Sequence, residues 1–260
     1  VDSKKIGFHD KISKYLPGDL IAELHILDGV DHTSKLTVAH LLNHTSGLPD
    51  YFEDEPTQGA NMMTMLFTEP ERVWTPEELI EYTKENFKSK FAPGTAFHYT
   101  DTEYVLLALI IEKLTGLSYA QALSEYIFQP LGMKASYINL HSKPSDGIAV
   151  MAPLYAEEAE ISTLKSLSAD WGGGGLVSTS EDLYRFMSAL VEGELVTEAT
   201  WEEMNQYTPE SKGTYYGYGL RKWNLKELFP ILPDVTLIGH SGSTGSFMYY
   251  SPELDTYFTG

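Results

Sequence analysis

Apolar residues at helical spacing fill the middle of the chain. Residues 102–114 are apolar on nearly every side, which predicts a buried helix ending at Gly116. Thr75, followed by Pro76 and two glutamates, predicts another helix start, because a threonine cap, an early proline and acidic residues all stabilise a helix N-terminus. Shorter helices are predicted at residues 37–43, capped by Thr37, at 119–128, and from the cap Ser180 to about 191.

The pattern changes after residue 213. Residues 215–223 alternate with glycines, and short strand-like runs at 235–238, 246–250 and 256–258 are separated by turn residues. Helices in the middle and strands in the C-terminal third are typical of an α+β fold, with an antiparallel sheet flanked by helices. We therefore predict a single domain over residues 1–260, with a helix-rich region at about 20–195 and a sheet region at about 213–260.

Composition narrows the classes of function. The chain has 260 residues, a formal net charge of −19 and no cysteine. The absence of cysteine excludes disulfides, thiolate metal sites and a cysteine nucleophile, and the excess of acids argues against a nucleic-acid partner, which would need a basic face. The histidines lack the spacing of metal motifs, so we predict no metal and no cofactor.

Tyr99 is the first candidate for chemistry. It follows a Pro-Gly turn and directly precedes the predicted buried helix, where its phenol can be held rigidly. A neighbouring cation or the helix dipole would lower the pKa of this phenol and make it a usable general base. The alternative interpretation is a core tyrosine followed by Asp101 as a simple helix cap.

The second candidate is the Gly-His-Ser-Gly-Ser-Thr-Gly run at residues 239–245, beside a predicted strand. The small residues Ser241, Gly242 and Ser243 would let a substrate lie along the sheet edge. A backbone N–H there could donate to an oxyanion, and His240 could assist proton transfer. The alternative is a hairpin of glycine and serine that carries an incidental histidine.

Three further segments are predicted to be structural. His44-Thr45-Ser46-Gly47 is interpreted as a turn, because residues adjacent in sequence do not have the geometry of a catalytic Ser–His pair. The four glycines at 172–175 resemble a phosphate loop but lack the Gly-Lys-Ser/Thr that should follow, so a tight turn or close backbone packing is predicted. The acidic stretch 50–56 lacks calcium-loop spacing and is predicted to be a solvated surface.

Taken in order along the chain, several of these segments resemble motifs of the serine β-lactamase family in its broad sense. That family includes class C β-lactamases, penicillin-binding DD-peptidases, D-aminopeptidases and related esterases. The resemblance covers essentially the whole chain. It rests on LTVAHLLNHTSGLP (36–49), FAPG (91–94), YTDTEYVLL (99–107), PLGM (130–133), GGGLVST (173–179) and GHSG (239–242).

The resemblance implies roles for particular residues. Tyr99 matches the tyrosine of the family's Tyr-x-Asn element and would be the general base that activates the nucleophile and later protonates the leaving group. Asp101 stands where the family has asparagine, which favours esters and peptides over β-lactams. His240, Ser241 and Gly242 match the family's Lys-Thr-Gly motif, and the Ser243 backbone N–H would be an oxyanion donor.

The resemblance also implies that the nucleophile lies elsewhere. Family members acylate a serine in a Ser-x-x-Lys motif that comes long before the tyrosine element. Residues 1–8 resemble the segment just after that motif, and 253–258 resemble a strand that should continue, so we expect a chain truncated at both ends. One Ser-x-x-Lys string, at 162–165, falls after the tyrosine element and is not expected to be the nucleophile.

The function implied is that of a serine hydrolase acting through an acyl-serine intermediate, with this chain alone inactive. Expected substrates are a small-molecule ester, a D-amino-acid peptide and a β-lactam, in that order. The missing N-terminal segment is an expected partner, and the expected location is the periplasm or exterior of a bacterium. The alternative is a non-catalytic binding or regulatory protein on the same scaffold.

Overall fold

The computed structural model describes residues 1–145, 147, 150–156 and 158–260. Short 3₁₀ or π helices occur at Ile12–Lys14, Thr33–Lys35, Ser124–Phe128 and Lys165–Asp170. The α-helices are α1 Gly18–Ile21, α2 Val38–Leu42, α3 Met62–Thr68, α4 Pro76–Asn86, α5 Asp101–Thr115, α6 Tyr119–Leu123, α7 Gln129–Leu131, α8 Trp171–Gly174, α9 Ser180–Val191, α10 Glu198–Met204 and α11 Leu225–Leu228.

The strands fall into one large sheet and three small pairs. The short strands are β1 Ile26–Leu27, β2 Val30–Asp31, β3 Tyr137–Ile138, β4 Tyr155–Ala156, β5 Ala159–Glu160 and β6 Leu176–Val177. The large sheet contains β7 Thr208–Ser211, β8 Thr214–Tyr216, β9 Arg221–Asn224, β10 Thr236–Ser241, β11 Phe247–Ser251 and β12 Thr256–Thr259. Its spatial order is the chain order, and every neighbouring pair is antiparallel. The predicted α+β class is confirmed, and the sheet begins at Thr208, slightly earlier than expected.

Local chemistry fixes the helix starts. The hydroxyls of Thr37 and Thr75 accept backbone N–H groups three residues on, which confirms both predicted caps, and both helices also carry complete capping boxes. The Thr100 hydroxyl caps α5, so the interpretation of Asp101 as the cap is wrong. Thr179 likewise caps α9 in place of Ser180. In both cases a threonine stands one residue ahead and offers its oxygen from extended backbone.

The main core is built around α5. Its buried residues Val105, Leu106, Leu109 and Ile110 belong to a cluster that joins the N-terminal helices to Trp171. Burial of one such aliphatic side chain contributes about 1.5–3 kcal/mol. A smaller cluster, Leu190, Leu220 and Ile238, packs α9 beneath the large sheet. These two clusters hold the start of α5 and the end of β10 in place.

The glycine run packs closely against α5, as predicted. A Cβ at Gly172 would lie 2.8 Å from the Cβ of Ala108 and 2.9 Å from the carbonyl oxygen of Tyr104. A Cβ at Gly173 would lie 2.9 Å from the Cβ of Asp101. The absence of side chains therefore lets α8 lie directly on the first turns of α5.

No single helix in the described parts of the chain is long and apolar enough to cross a membrane. Only the bent pair Asp101–Thr115 and Tyr119–Leu131, which meet at 75°, satisfies the length and composition of a span when taken together.

Candidate active site

Two residues that closely follow Tyr99 in the chain anchor it to the segment at Pro49. The Thr100 hydroxyl donates to the Pro49 carbonyl across 2.8 Å, and the Thr102 hydroxyl donates to the same oxygen across 2.7 Å. Both threonines are buried, so these hydrogen bonds are shielded from water. Tyr99 is thereby held immediately before the first turn of α5.

The Tyr99 ring lies among side chains from the helical region and from the sheet. Its centroid is 4.2 Å from that of His44, 6.0 Å from that of Tyr216 and 6.1 Å from that of His240. The guanidinium carbon of Arg221 lies 5.4 Å from the same ring. The structure therefore brings the two candidate segments identified in the sequence, Tyr99 and the His240 strand, to one place.

The hydrogen bonds of His240 fix its tautomer. Its Nδ1 lies 2.9 Å from the Ser241 carbonyl oxygen, which can only accept, so Nδ1 carries the proton. Its Nε2 therefore accepts from the Tyr216 hydroxyl across 2.9 Å. Burial, assisted by the charge of Arg221, lowers the pKa of His240 to about 4, so the imidazole is neutral at pH 7.

The pKa of Tyr99 is raised, whereas the sequence analysis predicted that it would be lowered. Burial, and then the neighbouring Asp101 carboxyl, raise the pKa of Tyr99 above its ordinary value, and Arg221 only partly opposes them. The expected lowering by a cation is wrong in its net sign, because the desolvation of the phenol outweighs that cation. The cation itself is present and comes from strand β9.

A group of carboxyls lies beside Tyr99. Burial and the neighbouring Asp50 and Asp170 raise the pKa of Asp101 well above its ordinary value. Burial also raises the pKa of Asp50 and that of Asp170 to about 6. Asp50 is only 3% exposed, so the prediction that residues 50–56 form a solvated surface is wrong at this position. Among the described residues no cluster suited to a metal ion is found.

The 242–246 segment is the turn between β10 and β11. The Gly242 N–H donates to the Ser246 carbonyl across 2.7 Å, which closes the turn. Ser241 pairs with Phe247 in the ladder, and Ser243 is exposed. Within the described parts of the chain the Ser243 N–H has no backbone partner. The roles of these three residues in binding stay predictions.

Two charged or polar pairs were not found by sequence reasoning. His44 and Glu103 are fully buried and hydrogen-bonded through Nδ1, and the second Glu103 oxygen accepts the Ser46 N–H across 3.2 Å. Burial lowers the pKa of His44 and raises that of Glu103, so it disfavours the charged form of both side chains. Glu103 is the single acid in the apolar segment 102–111, and this isolation was the available signal.

The second pair is Arg221 and Glu210. The Arg221 fork donates to both Glu210 oxygens across 2.9 and 2.8 Å, and the two side chains are only 17% and 20% exposed. Arg221 is one of three arginines in the chain. No local pattern connects it to Tyr99, because the contact depends on how β9 packs against the start of α5.

The Ser-x-x-Lys string at 162–165 does not form a catalytic pair. The Ser162 hydroxyl oxygen accepts the Leu154 N–H across 2.6 Å. The Lys165 ammonium pairs instead with Glu71 across 2.9 Å and is 55% exposed. Each of these two side chains is therefore bonded to a group outside the Ser-x-x-Lys string.

Comparisons with known proteins agree with this fold and these motifs. The Beta-lactamase family model matches residues 1–259, and the chain belongs to that family. It is 30% identical over 229 residues to penicillin-binding protein 4* of Bacillus subtilis, which covers 82% of this chain and 46% of the relative. It is 24% identical over 277 residues to a putative D-alanyl-D-alanine carboxypeptidase of Salmonella enteritidis, covering 95% of this chain and 61% of the relative.

Solved structures of the same fold include a D-stereospecific amidohydrolase from Streptomyces sp. The superposition has a TM-score of 0.77 at 29% identity, and it covers 96% of this chain and 72% of that protein. The mixed helix-and-sheet architecture is thus that of the β-lactamase fold. The chain spans about half to three fifths of the length of the curated relatives it matches.

Proposed function

We propose that this chain is the base-bearing part of a serine hydrolase that cleaves an amide or ester through an acyl-serine intermediate. The observation that carries the proposal is the position of Tyr99, which lies between the start of α5 and the His240 end of β10. Membership of the β-lactamase family supports it.

In the proposed reaction Tyr99 acts in its ionised form. Its oxygen takes the proton of the serine hydroxyl as the serine oxygen attacks the acyl carbon, and it returns that proton to the leaving nitrogen or oxygen. The exposed Ser243 N–H donates to the oxyanion, and the edge at Ser241 and Gly242 carries the substrate. Water then hydrolyses the acyl-serine by the same path in reverse.

His240 acts in this scheme as a neutral group. His240, with its pKa lowered to about 4, supplies no positive charge at neutral pH. Its contribution is to orient the strand end through Tyr216 and Ser241.

We propose a D-amino-acid amide or peptide as the substrate class, ahead of an ester or a β-lactam. Two relatives support this order. One is the D-stereospecific amidohydrolase at 29% identity, and the other is the putative D-alanyl-D-alanine carboxypeptidase. The test compares binding of D-phenylalanine amide and L-phenylalanine amide to the chain by ligand-observed NMR. Preference for the D isomer is expected, and equal binding would contradict the assignment.

The proposal places the acylated serine outside residues 1–260. The surroundings of Ser162 support this, since its hydroxyl and Lys165 are engaged elsewhere. The test is an intact-mass spectrum after exposure to a fluorophosphonate, with a family hydrolase labelled in parallel as the control. We expect one unlabelled species of 29.1 kDa. An adduct on this chain would overturn the placement, and a serine-bearing form that binds the D isomer without turnover would favour the non-catalytic alternative.

A further inference from the structure

Arg221 is fixed in a direction that its sequence position does not reveal. Glu210 accepts from its Nε and Nη2 in a bidentate arrangement, so the guanidinium plane has little freedom. The pair is mostly shielded from water, with 17% and 20% of the two side chains exposed. The charge therefore stays in one place and is weakly screened.

That charge faces the aromatic side chains of the site. The guanidinium carbon lies 5.4 Å from the Tyr99 ring centroid and 5.6 Å from that of Tyr216. The imidazoles beside Tyr99 provide no comparable charge, because burial lowers the pKa of His44 and that of His240. Tyr99 thus faces a permanent cation on β9, whereas its two histidine neighbours are neutral at pH 7.

We propose that Arg221, held by Glu210, is a positioning residue that favours the ionised form of the Tyr99 phenol. This inference rests on the proposed role of Tyr99 as a base, and adds the group that makes the role possible in a buried site. An opposite charge within a few ångströms stabilises an ionised group strongly where water is excluded. Without it, the phenolate would have only uncharged or acidic neighbours among the groups described here.

The charges around Tyr99 determine whether the Arg221–Glu210 pair favours or disfavours ionisation of its phenol. Asp101 opposes ionisation of the Tyr99 phenol more strongly than Arg221 favours it. Asp50 and Glu210 each oppose that ionisation less strongly than Arg221 favours it. Glu210, which holds Arg221, therefore disfavours the phenolate less than Arg221 stabilises it. Among the described residues, the titratable and charged groups that face Tyr99 are His44, Asp50, Asp101, Tyr104, Glu210, Tyr216, Arg221 and His240.

The test titrates residue 99 directly and needs no turnover. The chain is produced with 2,3,5-trifluorotyrosine at position 99, whose phenol is more acidic than that of tyrosine, and its ionisation is followed by ¹⁹F NMR. Arg221→Gln should raise the titration midpoint by about one pH unit or more, as expected for loss of a close opposite charge. Arg185→Gln is the matched control, because it breaks an Arg–Glu pair on α9 and should leave the midpoint unchanged.

A second variant guards against misfolding. Arg221→Gln leaves the Glu210 carboxylate unpaired, whereas the double variant Arg221→Gln/Glu210→Gln replaces the ion pair by two amides. Its midpoint should also rise, by less than that of the single variant, because Arg221 outweighs Glu210 at Tyr99. An unchanged or lowered midpoint in the folded double variant would overturn the proposal. Since the titration requires no nucleophile, this result is separate from success or failure of the hydrolase assignment.

Discussion

The Tyr216 hydroxyl donates to Nε2 of His240 across 2.9 Å, although strand β9 lies between their strands β8 and β10 in the sheet. The bond therefore spans the end of an intervening strand. It joins the strand that carries the Lys-Thr-Gly-like motif to a buried tyrosine that also contacts His44. His240 is thus held in one orientation by Tyr216 from outside its motif and by the Ser241 carbonyl within it.

This geometry predicts that His240 stays neutral, with its proton on Nδ1, from pH 8 down to about pH 5, because its pKa is lowered to about 4. Long-range ¹H–¹⁵N spectra of the imidazoles would show this tautomer directly. Tyr216→Phe should shift the Nε2 resonance, since it removes the donor. Protonation of His240 with a midpoint near 6.5, the value of a free imidazole, would contradict the assignment.

Replacement of Tyr99 by phenylalanine should remove the proposed base. In a form of the protein that carries the acylated serine, kcat/KM should fall by about 10²–10⁴, the usual contribution of a general base. Tyr215→Phe is the matched control, because the Tyr215 hydroxyl bonds Glu227 at an exposed position. Near-full activity of the Tyr99 variant would remove Tyr99 from the mechanism.

The buried Glu103 should matter for stability. Glu103→Leu removes the carboxyl that bonds His44 Nδ1 and the Ser46 N–H, and a buried hydrogen-bonding group left without its partner costs about 1–3 kcal/mol. Glu103→Gln can still donate to Nδ1 and accept from Ser46, so its loss should be much smaller. Urea unfolding monitored by circular dichroism measures both. Equal midpoints for the leucine variant and the parent would show that the pair is not structural.

Asp170 should make stability depend on pH. Burial raises its pKa in the folded state to about 6, above the value of about 3.9 for a free aspartate, so the folded state binds more protons between these values. Its contribution is therefore present below about pH 4 and is lost as the pH rises through about 6. Asp170→Asn should flatten this decline and stabilise the protein at pH 7 by about 1–3 kcal/mol. Unfolding free energies of the parent and the variant, measured from pH 4 to 7, test this. A variant whose unfolding free energy declines with pH as steeply as that of the parent would contradict it.

Gly47 should tolerate no side chain. Its φ is +79°, and a Cβ would clash with the Phe91 carbonyl and lie 2.9 Å from Nε2 of His25. Gly29 has a φ of +78° with open space around it, so Gly29→Ala measures backbone strain alone, about 1–2 kcal/mol. Gly47→Ala should cost clearly more. Thermal unfolding of the two variants compares them, and equal losses would mean that the 91–94 segment moves away freely.

Much of the fold could be predicted because its signals are local. The caps Thr37 and Thr75 act on backbone groups three residues away, and Gly116 ends α5 in the left-handed conformation that glycine adopts easily. The errors at Asp101 and Ser180 arose where two capping residue types are adjacent. The two motif segments of the site were also visible, because each is a short run.

The sequence by itself determined the longest helices, the C-terminal strands, the β-lactamase-like order of motifs and the two candidate segments at Tyr99 and His240. Only the tertiary structure decided the charges around them. The pKa values of Tyr99 and Asp101 are raised, and that of His240 is lowered, by burial and by neighbours from distant parts of the chain. Electrostatic shifts depend on distances of a few ångströms and on the exclusion of water. Neither quantity is encoded in the local pattern of residues, so Arg221 became visible as a partner of Tyr99 only when β9 was placed against α5.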